Sequence, residues 1–368
     1  MRITCNRQQL NETVLNIQRA VSSKSSVPAL EGILLKATEN ELELCGYDLE
    51  LGMTTKFEAR VDERGSVVLS ARLFGDIVRR LPADTVTLSV DAKNITTITS
   101  GPAEFSIVGI PAEEYPELPA ITGETSIKIA NNVLKSMIRQ TIFAVAESDA
   151  KPIHTGTLFE LEKGKIRLVS VDGYRLAIRE EAAKCEEETN FVVPGKTLGE
   201  VLKLLSDDDE ELEIQIGRRH ILFQIGSYCV ISRLLEGEFL DYRAAIPTAS
   251  TTEMFVNTRA LIDSVERVSL LITDRLKSPV RCRFEENEIK VSCSTAIGRA
   301  NDQLEAKITG NPVEMGFNNR YLLDALRNAE GDEVRIQLNG ALSPMKILPR
   351  EGDSFLFLVL PVRLKSEG

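Results

Sequence analysis

The sequence has no tryptophan and two histidines, His154 and His220, among its 368 residues. With so little imidazole, and with no C-x-x-C pair among the six cysteines, we expect no zinc site. The cysteines stand mostly in apolar, strand-like runs, which indicates reduced and buried thiols rather than disulfides. The sequence therefore predicts neither a metal nor another cofactor.

Long apolar runs are missing too. No stretch approaches the roughly 20 apolar residues that a membrane-spanning helix needs. The first residues, Met1–Arg7, lack the apolar centre of a signal peptide. We therefore expect a cytoplasmic protein with no membrane partner.

The usual catalytic and nucleotide-binding motifs are absent as well. Gly195–Thr197 resembles the end of a phosphate-binding loop, but Asn190 stands where that loop needs a glycine. The acidic run Ser206–Glu211 lacks the alternating ligands and the central glycine of a calcium loop. Neither a G-x-S-x-G nor a G-x-G-x-x-G motif occurs. We identify no catalytic residues.

What the chain has is an ordinary globular composition, with 43% hydrophobic and 27% charged residues. Its length suits two or three domains rather than one core. The formal net charge of −11 is unfavourable for binding a polyanion, although a net value does not describe how the charges are distributed.

Internal repetition is the strongest pattern in the sequence. The segments Gly32–Asp48 and Gly156–Asp172 match at one constant offset, including their first glycine, a leucine (Leu44 and Leu168) and their last aspartate. A third copy, Cys282–Cys293, again has the pattern of strand, turn and strand. Three copies of one unit favour a symmetric or curved assembly over a catalytic cleft.

Each copy is flanked by two segments with apolar residues at helical spacing. The predicted helices are Leu10–Val21, Leu73–Leu81, Val133–Ala146, Leu198–Leu205, Ala260–Leu271 and Tyr321–Ala329. The predicted fold is α+β: three repeated units, each with two helices packed on antiparallel sheets. Linker-like composition at Pro119–Gly123 and Pro247–Thr252 predicts three domains, 1–122, 123–250 and 251–368.

One turn in the second copy is of special interest. Asp172-Gly173 is a strong hairpin signal, because both central residues of such a turn tolerate positive φ. The aspartate recurs as Asp48, so we interpret both carboxylates as turn caps rather than as catalytic groups. The residues after the turn are expected to lie within reach of solvent: Tyr174, Arg175 and Leu176.

Cations recur on the predicted helices, and on the residues just before them, in all three copies, whereas many acidic residues lie in loops and strands. The cations are Arg19, Arg72, Arg79, Arg80, Lys135, Arg139, Lys196, Lys203, Arg259, Arg267, Arg320 and Arg327. Some acidic residues share these helices, and surface helices often carry cations simply because they are solvated. The recurrence favours the other interpretation, in which helices of every unit face one polyanion while the outside stays acidic.

Three motifs connect these repeats to a known family. They are Val-Asp-Gly-Tyr-Arg-Leu at 171–176, Glu-Phe-Leu-Asp-Tyr-Arg at 238–243 and Leu-Pro-Val-Arg-Leu at 360–364. In this order, across a threefold repeat, they resemble the bacterial sliding clamps, the β subunits of DNA polymerase III. The resemblance extends from Ile3 to Leu364 and leaves the tail Lys365–Gly368 aside.

The resemblance implies a processivity factor and not an enzyme. Such a clamp is a head-to-tail homodimer whose six domains form a ring around double-stranded DNA of any sequence. The implied partners are the catalytic subunit of the replicative polymerase, the clamp loader, and other polymerases and repair proteins. These partners dock short apolar motifs in a peptide pocket.

The resemblance also assigns roles to residues of this chain. The implied pocket comprises Val171, Gly173, Tyr174, Arg175, Leu176, Leu240, Ala245, Pro344, Leu358, Leu360 and Val362, with His154 lining or bordering it. The implied DNA-facing cations are Lys24, Arg72, Arg79, Arg80, Lys135, Arg139, Lys151, Lys196, Lys203 and Arg267. The implied dimer interface joins Phe105 and Ile107 of one subunit to Leu271 and Ile272 of the other.

Two other hypotheses remain open from the sequence. One is a repeat-built enzyme or small-molecule binder with a site between units, lined by Asp172, Tyr174 and Arg175. The other is a purely structural scaffold. A protein that is monomeric in solution and does not bind polymerase tail peptides would favour the first hypothesis. A protein whose retention on DNA does not change when the DNA is linearised, and whose pocket does not select among peptides, would favour the second.

Overall fold

The protein is described by a computed structural model that covers residues 1–121, 125–148, 150–185, 188–273 and 275–364. The predicted boundary between residues 122 and 123 and the tail 365–368 lie outside these ranges. Within them the helices are α1 (Arg7–Ile17), α2 (Ala71–Val78), α3 (Asn131–Ile142), α4 (Gly195–Leu204), α5 (Thr258–Ser269) and α6 (Asn319–Asn328). In the described part of the chain, no helix combines the length and the apolar character of a membrane span.

The strands follow the same order in the three repeats. The first repeat has β1 (Arg2–Asn6), β2 (Gly32–Thr38), β3 (Glu41–Tyr47), β4 (Leu51–Glu58), β5 (Arg60–Glu63), β6 (Gly65–Ser70), β7 (Thr85–Val90), β8 (Ile95–Ser100) and β9 (Ala103–Val108). The second has β10 (Thr125–Ala130), β11 (Gly156–Glu162), β12 (Lys165–Val171), β13 (Arg175–Ala182), β14 (Thr189–Pro194), β15 (Glu211–Ile216), β16 (His220–Ile225) and β17 (Tyr228–Arg233). The third has β18 (Thr252–Asn257), β19 (Val280–Glu285), β20 (Glu288–Thr295), β21 (Gly298–Glu305), β22 (Lys307–Gly310), β23 (Val313–Phe317), β24 (Glu333–Leu338), β25 (Met345–Pro349) and β26 (Phe355–Val359).

The bounds of these strands confirm the predicted repeat. Strands β2, β3 and β4 begin and end at the same positions as β11, β12 and β13 when one constant offset is applied. The third repeat follows the same plan with β19, β20 and β21. The chain is therefore α+β, with three domains of one design.

All six predicted helices are present, and each begins two or three residues earlier than predicted. Their first residues are polar or small, so the apolar periodicity does not reveal them. Asparagine caps mark several of these starts instead. The side chain of Asn6 accepts a hydrogen bond from the Gln9 amide at 3.1 Å, and Asn257 accepts one from Ala260 at 2.8 Å.

The chain divides into two compact units, and all strand pairs in their sheets are antiparallel. Unit 1 comprises Met1–Asn131 and Lys203–Leu234. It contains a five-stranded sheet, β5-β1-β7-β8-β9, and an eight-stranded sheet, β10-β15-β16-β17-β4-β3-β2-β6. Unit 2 comprises Asn132–Leu202 and Leu235–Gly368. It contains a nine-stranded sheet, β14-β11-β12-β13-β26-β25-β24-β18-β22, and a four-stranded sheet, β21-β20-β19-β23.

One rule of strand pairing joins each repeat to the next. The last strand of the second repeat, β17, pairs with β4 of the first. The last strand of the third repeat, β26, pairs with β13 of the second. The equivalent of β17 and β26 in the first repeat is β9, and the equivalent of β4 and β13 in the third is β21. Both β9 and β21 lie at the edges of their sheets, where backbone groups remain available to another strand.

The cysteines are unpaired, as the sequence predicts, and all are buried except the half-buried Cys229. Burial raises the pKa of the Cys5 and Cys282 thiols to about 12, so both stay protonated at neutral pH. Among the residues that the structure describes, no group of three or more His, Cys, Asp or Glu side chains is arranged to hold a metal ion.

Candidate functional site

The turn between β12 and β13 is held by the carboxylate of Asp172. Its Oδ1 accepts hydrogen bonds from the backbone N–H groups of Tyr174 at 2.9 Å and Arg175 at 3.0 Å. Asp48 accepts two such bonds in the first repeat, at 3.0 and 2.7 Å. The interpretation of both aspartates as turn caps is confirmed.

The expected backbone of this turn is wrong in one respect. Gly173 has a φ of 89°, but Asp172 is not among the residues with positive φ. The central residues of the turn are Gly173 and Tyr174, because the Asp172 backbone N–H donates to the Arg175 carbonyl oxygen at 3.3 Å. In the first repeat, Leu49 takes the place of Gly173 and has a φ of 75°.

Beyond the turn, three of the predicted pocket residues form a row across neighbouring strands. Val171 of β12 lies opposite Leu176 of β13, and Leu176 lies opposite Leu358 of β26. Residues directly opposite one another in antiparallel strands share a face of the sheet. All three side chains are buried in one apolar cluster, which also contains Ile153 and Tyr242. The ring of the buried His154 lies nearby and contacts Phe239, with 5.4 Å between the ring centroids.

The expectation that solvent reaches all three residues after the turn is wrong. Tyr174 is 61% exposed, whereas Arg175 is 7% and Leu176 is 2% exposed. Because side chains alternate along a strand, Arg175 and Leu176 point to opposite faces of the sheet. Leu176 belongs to the apolar cluster on one face, and Arg175 contacts residues on the other.

Arg175 is surrounded by carboxylates and rings. Its Nε lies 2.9 Å from an oxygen of Asp172, and its Nη1 lies 2.5 Å from an oxygen of Asp324 in α6. Its guanidinium also stands 4.6 Å from the ring centroid of Tyr321 and 5.7 Å from that of Phe143. These contacts connect β13 of the second repeat to α6 of the third, inside unit 2.

A cavity of about 890 Å³ opens beside this group. Three predicted pocket residues line it, namely Tyr174, Arg175 and Val362. The exposed ring of Tyr174 stacks on Tyr321, with 5.8 Å between centroids and 21° between planes. Sequence reasoning missed Tyr321, and also Asn318 and Lys277, as lining residues. No local signal distinguishes Tyr321 from any other apolar residue at the start of a helix.

The other predicted pocket residues differ in exposure. Gly173, Leu240, Ala245 and Leu360 are exposed, and Pro344 is half-buried. The Leu360 backbone N–H donates to the Tyr174 carbonyl oxygen at 2.9 Å, which connects the residue after β26 to the turn. The predicted set therefore consists of a buried apolar floor and several exposed side chains, with Arg175 on the opposite face.

The predicted DNA-facing cations are exposed, except for the half-buried Lys135. The exposed ones are Lys24, Arg72, Arg79, Arg80, Arg139, Lys151, Lys196, Lys203 and Arg267. Several have carboxylate partners close by. Asp76 pairs with both Arg79 at 2.6 Å and Arg80 at 3.2 Å. Arg139 pairs with Glu330 at 3.1 Å, and Arg267 with Asp302 at 2.6 Å.

The predicted interface residues lie at or near two sheet edges, one in each unit. Phe105 and Ile107 belong to the edge strand β9, and Phe105 is 39% exposed. Leu271 and Ile272 follow the end of α5 and are half-buried. Leu270 beside them is 80% exposed.

Burial and neighbouring charge shift the pKa of both histidines in the same direction. Burial, together with Lys151, lowers the pKa of His154 below its usual value. Burial, Arg233 and Arg219 lower the pKa of His220. The neutral imidazole is therefore favoured at both positions at neutral pH.

Comparison with known proteins matches this chain along nearly its whole length. Three family models match in succession: the N-terminal domain of the DNA polymerase III beta subunit at residues 1–119, its central domain at 128–241 and its C-terminal domain at 243–363. The beta sliding clamp of Bacillus subtilis is 35% identical, over 99% of this chain and all of the relative.

Solved structures give the same result. The DNA polymerase sliding clamp from Bacillus subtilis matches with a TM-score of 0.96 and 34% identity, over 99% of this chain and 100% of that one. A sliding clamp (DNA polymerase III subunit beta) from Bartonella birtlesii, bound to griselimycin, matches with a TM-score of 0.93 and 31% identity. The match covers 99% of this chain and 100% of that one. These matches do not favour the hypothesis of a repeat-built enzyme or small-molecule binder. The chain belongs to the DNA polymerase III beta subunit family, the bacterial sliding clamps.

Proposed function

We propose that this protein is a DNA sliding clamp, a processivity factor that encircles duplex DNA and tethers the replicative polymerase and other partners through an apolar peptide pocket. It contributes no catalytic step. The observation that carries the proposal is the rule of strand pairing between repeats, which leaves β9 open in unit 1 and β21 open in unit 2. The proposed domains are 1–122, 123–250 and 251–368.

In two copies arranged head to tail, both open edges find a strand to pair with. In the proposed ring, β9 of one copy pairs with β21 of the other, as β17 pairs with β4 and β26 with β13 within the chain. The exposed apolar residues support this pairing, because Phe105 lies on β9 and Leu270 stands 80% exposed after α5. Large apolar side chains at an open edge are unfavourable unless a partner covers them. The six domains of two copies then close a ring.

The cations on the helices support contact with DNA that is loose rather than tight. A ring retains DNA by topology, so it needs few strong phosphate contacts, and each neutralised phosphate would make binding more salt-dependent. Pairing of Arg79 and Arg80 with Asp76 weakens the field that these arginines present. The net charge of −11 disfavours DNA on the remaining surface.

The pocket is proposed to bind short apolar peptide segments of partner proteins. Its buried floor is the row of Val171, Leu176 and Leu358. The large apolar side chains of the predicted set that are exposed are Leu240, Leu360 and Val362. The proposed occupants are the replicative polymerase, the clamp loader, and other polymerases and repair proteins of the cytoplasm.

Griselimycin, the ligand bound by the Bartonella birtlesii clamp, provides a direct test of this pocket. We expect the wild-type protein to bind it in isothermal titration calorimetry. Leu240→Ala should weaken binding roughly fivefold or more, because an exposed apolar contact at the pocket is lost. Leu176→Ala is a poor test, because Leu176 is 2% exposed and its truncation opens a cavity in the core.

The matched control is Leu15→Ala. Leu15 lies on α1 in unit 1 and is 42% exposed, against 43% for Leu240 in unit 2. Leu15→Ala should bind griselimycin like the wild type. Equal affinity of Leu240→Ala and wild type, or no binding by the wild type, would contradict the proposed pocket.

A further inference from the structure

The loop between Leu235 and Ile246 carries two predicted pocket residues, Leu240 and Ala245, and both are exposed. Ala245 ends a short 3-10 turn, Tyr242–Ala245, in which Tyr242 is the buried residue. The Tyr242 backbone N–H donates to the Leu240 carbonyl oxygen at 2.8 Å. The position of Leu240 therefore depends on where Tyr242 is held.

Tyr242 is held from two sides of its ring. The ring packs into the apolar floor with Val171, Leu176 and Leu358, and the residue is 3% exposed. The Arg243 guanidinium covers the ring, 4.7 Å from its centroid. Glu160 lies on the same face of the sheet as Leu158 and Val171, and the phenolic hydroxyl donates to its Oε2 at 2.6 Å.

Glu160 is the centre of a charged network on β11 and β12. The same oxygen that accepts the Tyr242 hydroxyl also accepts Nη1 of Arg167 and Nη2 of Arg243, each at 2.9 Å. Arg167 is bound in turn by Glu162 at 3.2 Å and by Glu180. The side chain of Glu160 is 13% exposed, so its charge needs these donors. Burial and the bond to Glu160 raise the pKa of Tyr242, so the hydroxyl stays a donor at neutral pH.

We propose that the Tyr242–Glu160 hydrogen bond is a positioning device for the peptide pocket, which fixes the loop that presents Leu240. Neither side chain touches the bound peptide; each acts through the loop. The inference rests on the proposed function, because it requires that Leu240 contacts a ligand. It assigns a role to the network around Glu160, which has no part in the proposed DNA contact or in the proposed dimer interface.

The packing and the hydrogen bond can be separated by mutation. Tyr242→Phe keeps the ring in the apolar floor and removes the donor alone. The loop then keeps its burial but loses the contact that fixes it, so a ligand must order the loop on binding. We expect griselimycin to bind Tyr242→Phe three- to tenfold more weakly than wild type, mainly through faster dissociation.

Three further variants distinguish positioning from general stability. Glu160→Gln keeps an oxygen that can accept the hydroxyl and should bind within about twofold of wild type, whereas Glu160→Ala should match Tyr242→Phe. The double variant Glu160→Ala with Tyr242→Phe should be no weaker than either single variant. Tyr228→Phe is the matched control in unit 1, where it removes the acceptor of an Asn16 hydrogen bond at 2.8 Å, and it should leave binding unchanged.

The measurements are surface plasmon resonance with griselimycin at 25 °C and amide hydrogen exchange across residues 235–246. Faster exchange confined to this loop in Tyr242→Phe, with weaker binding and an unchanged dimer, supports the proposal. Binding by Tyr242→Phe equal to that of the wild type overturns it. Absence of binding by the wild type overturns the proposed pocket instead, so the two failures are distinguishable.

Discussion

Arg175 forms a brace between two repeats inside unit 2. Its guanidinium pairs with Asp172 in the second repeat and with Asp324 in the third, and it lies over the ring of Tyr321. An arginine suits this place, because its planar fork can bind two carboxylates and stack on an aromatic ring at once. With 8% of its side chain exposed, Arg175 is better placed to hold the site together than to contact a ligand broadly.

Replacing Arg175 by methionine should therefore destabilise the protein. Arg175→Met keeps an apolar stem but leaves two carboxylates without their cation. We expect a loss of roughly 2–4 kcal/mol in the free energy of unfolding, somewhat below the range for a fully buried pair, because Asp324 is partly exposed. Urea unfolding followed by circular dichroism measures it.

The control for this prediction is the neighbouring Tyr174, which is 61% exposed. Tyr174→Ala should lower the free energy of unfolding by only about 1 kcal/mol, because it loses an exposed aromatic contact with Tyr321 and leaves no charge unpaired. If Arg175→Met unfolds at the same urea concentration as the wild type, the contacts of Arg175 with Asp172, Asp324 and Tyr321 do not contribute to the free energy of unfolding.

At the scale of elements, β4 and β13 are paired by the last strand of the following repeat, whereas their equivalent β21, and β9 as the equivalent of β17 and β26, remain at sheet edges. Strand β9 is an edge strand that carries Phe105 and Ile107. Strand β10 is also an edge strand, of the eight-stranded sheet, but the strand-pairing rule gives it no role in the dimer. The two edges therefore provide a direct comparison.

A charge on β9 should dissociate the dimer. Ile107→Lys places an ammonium group where the proposed interface is apolar, and burying an unpaired charge there is unfavourable. We expect Ile107→Lys to sediment as a monomer and Ser126→Lys, on the exposed face of β10, to remain dimeric. Sedimentation velocity measures both, and a dimeric Ile107→Lys would place the interface elsewhere.

The sequence predicts the elements well and their partners poorly. The constant offset between Asp48 and Asp172 reveals the repeat, because equivalent turns need equivalent residues. Pairing of β26 with β13 brings together residues about 180 positions apart in the chain, and no local pattern specifies it. For the same reason, the contact of Arg175 with Tyr321, and that of Tyr242 with Glu160, could not be predicted from local sequence.

The candidate site shows the same division. Val171 and Leu176 are found by their place around the turn, which is local. Arg175 points to the other face, as strand alternation requires, whereas the prediction of one solvent-accessible surface for Tyr174, Arg175 and Leu176 does not distinguish the two faces.

At the scale of the whole molecule, the charges support retention by topology. The net charge of −11 disfavours tight DNA binding, and several of the predicted DNA-facing arginines form ion pairs with carboxylates of the same chain. A protein that held DNA by affinity would need many unpaired cations along one face. We therefore expect that DNA is held because the ring is closed around it.

Retention on circular and linear DNA tests this claim most directly. The protein is loaded onto nicked circular plasmid by a clamp loader, and the DNA-bound fraction is isolated by gel filtration. The plasmid is then cut once, with a mock-digested sample as the control. We predict that the protein stays on the circle and is lost from the linear DNA by sliding off its ends. Equal retention on both would contradict it.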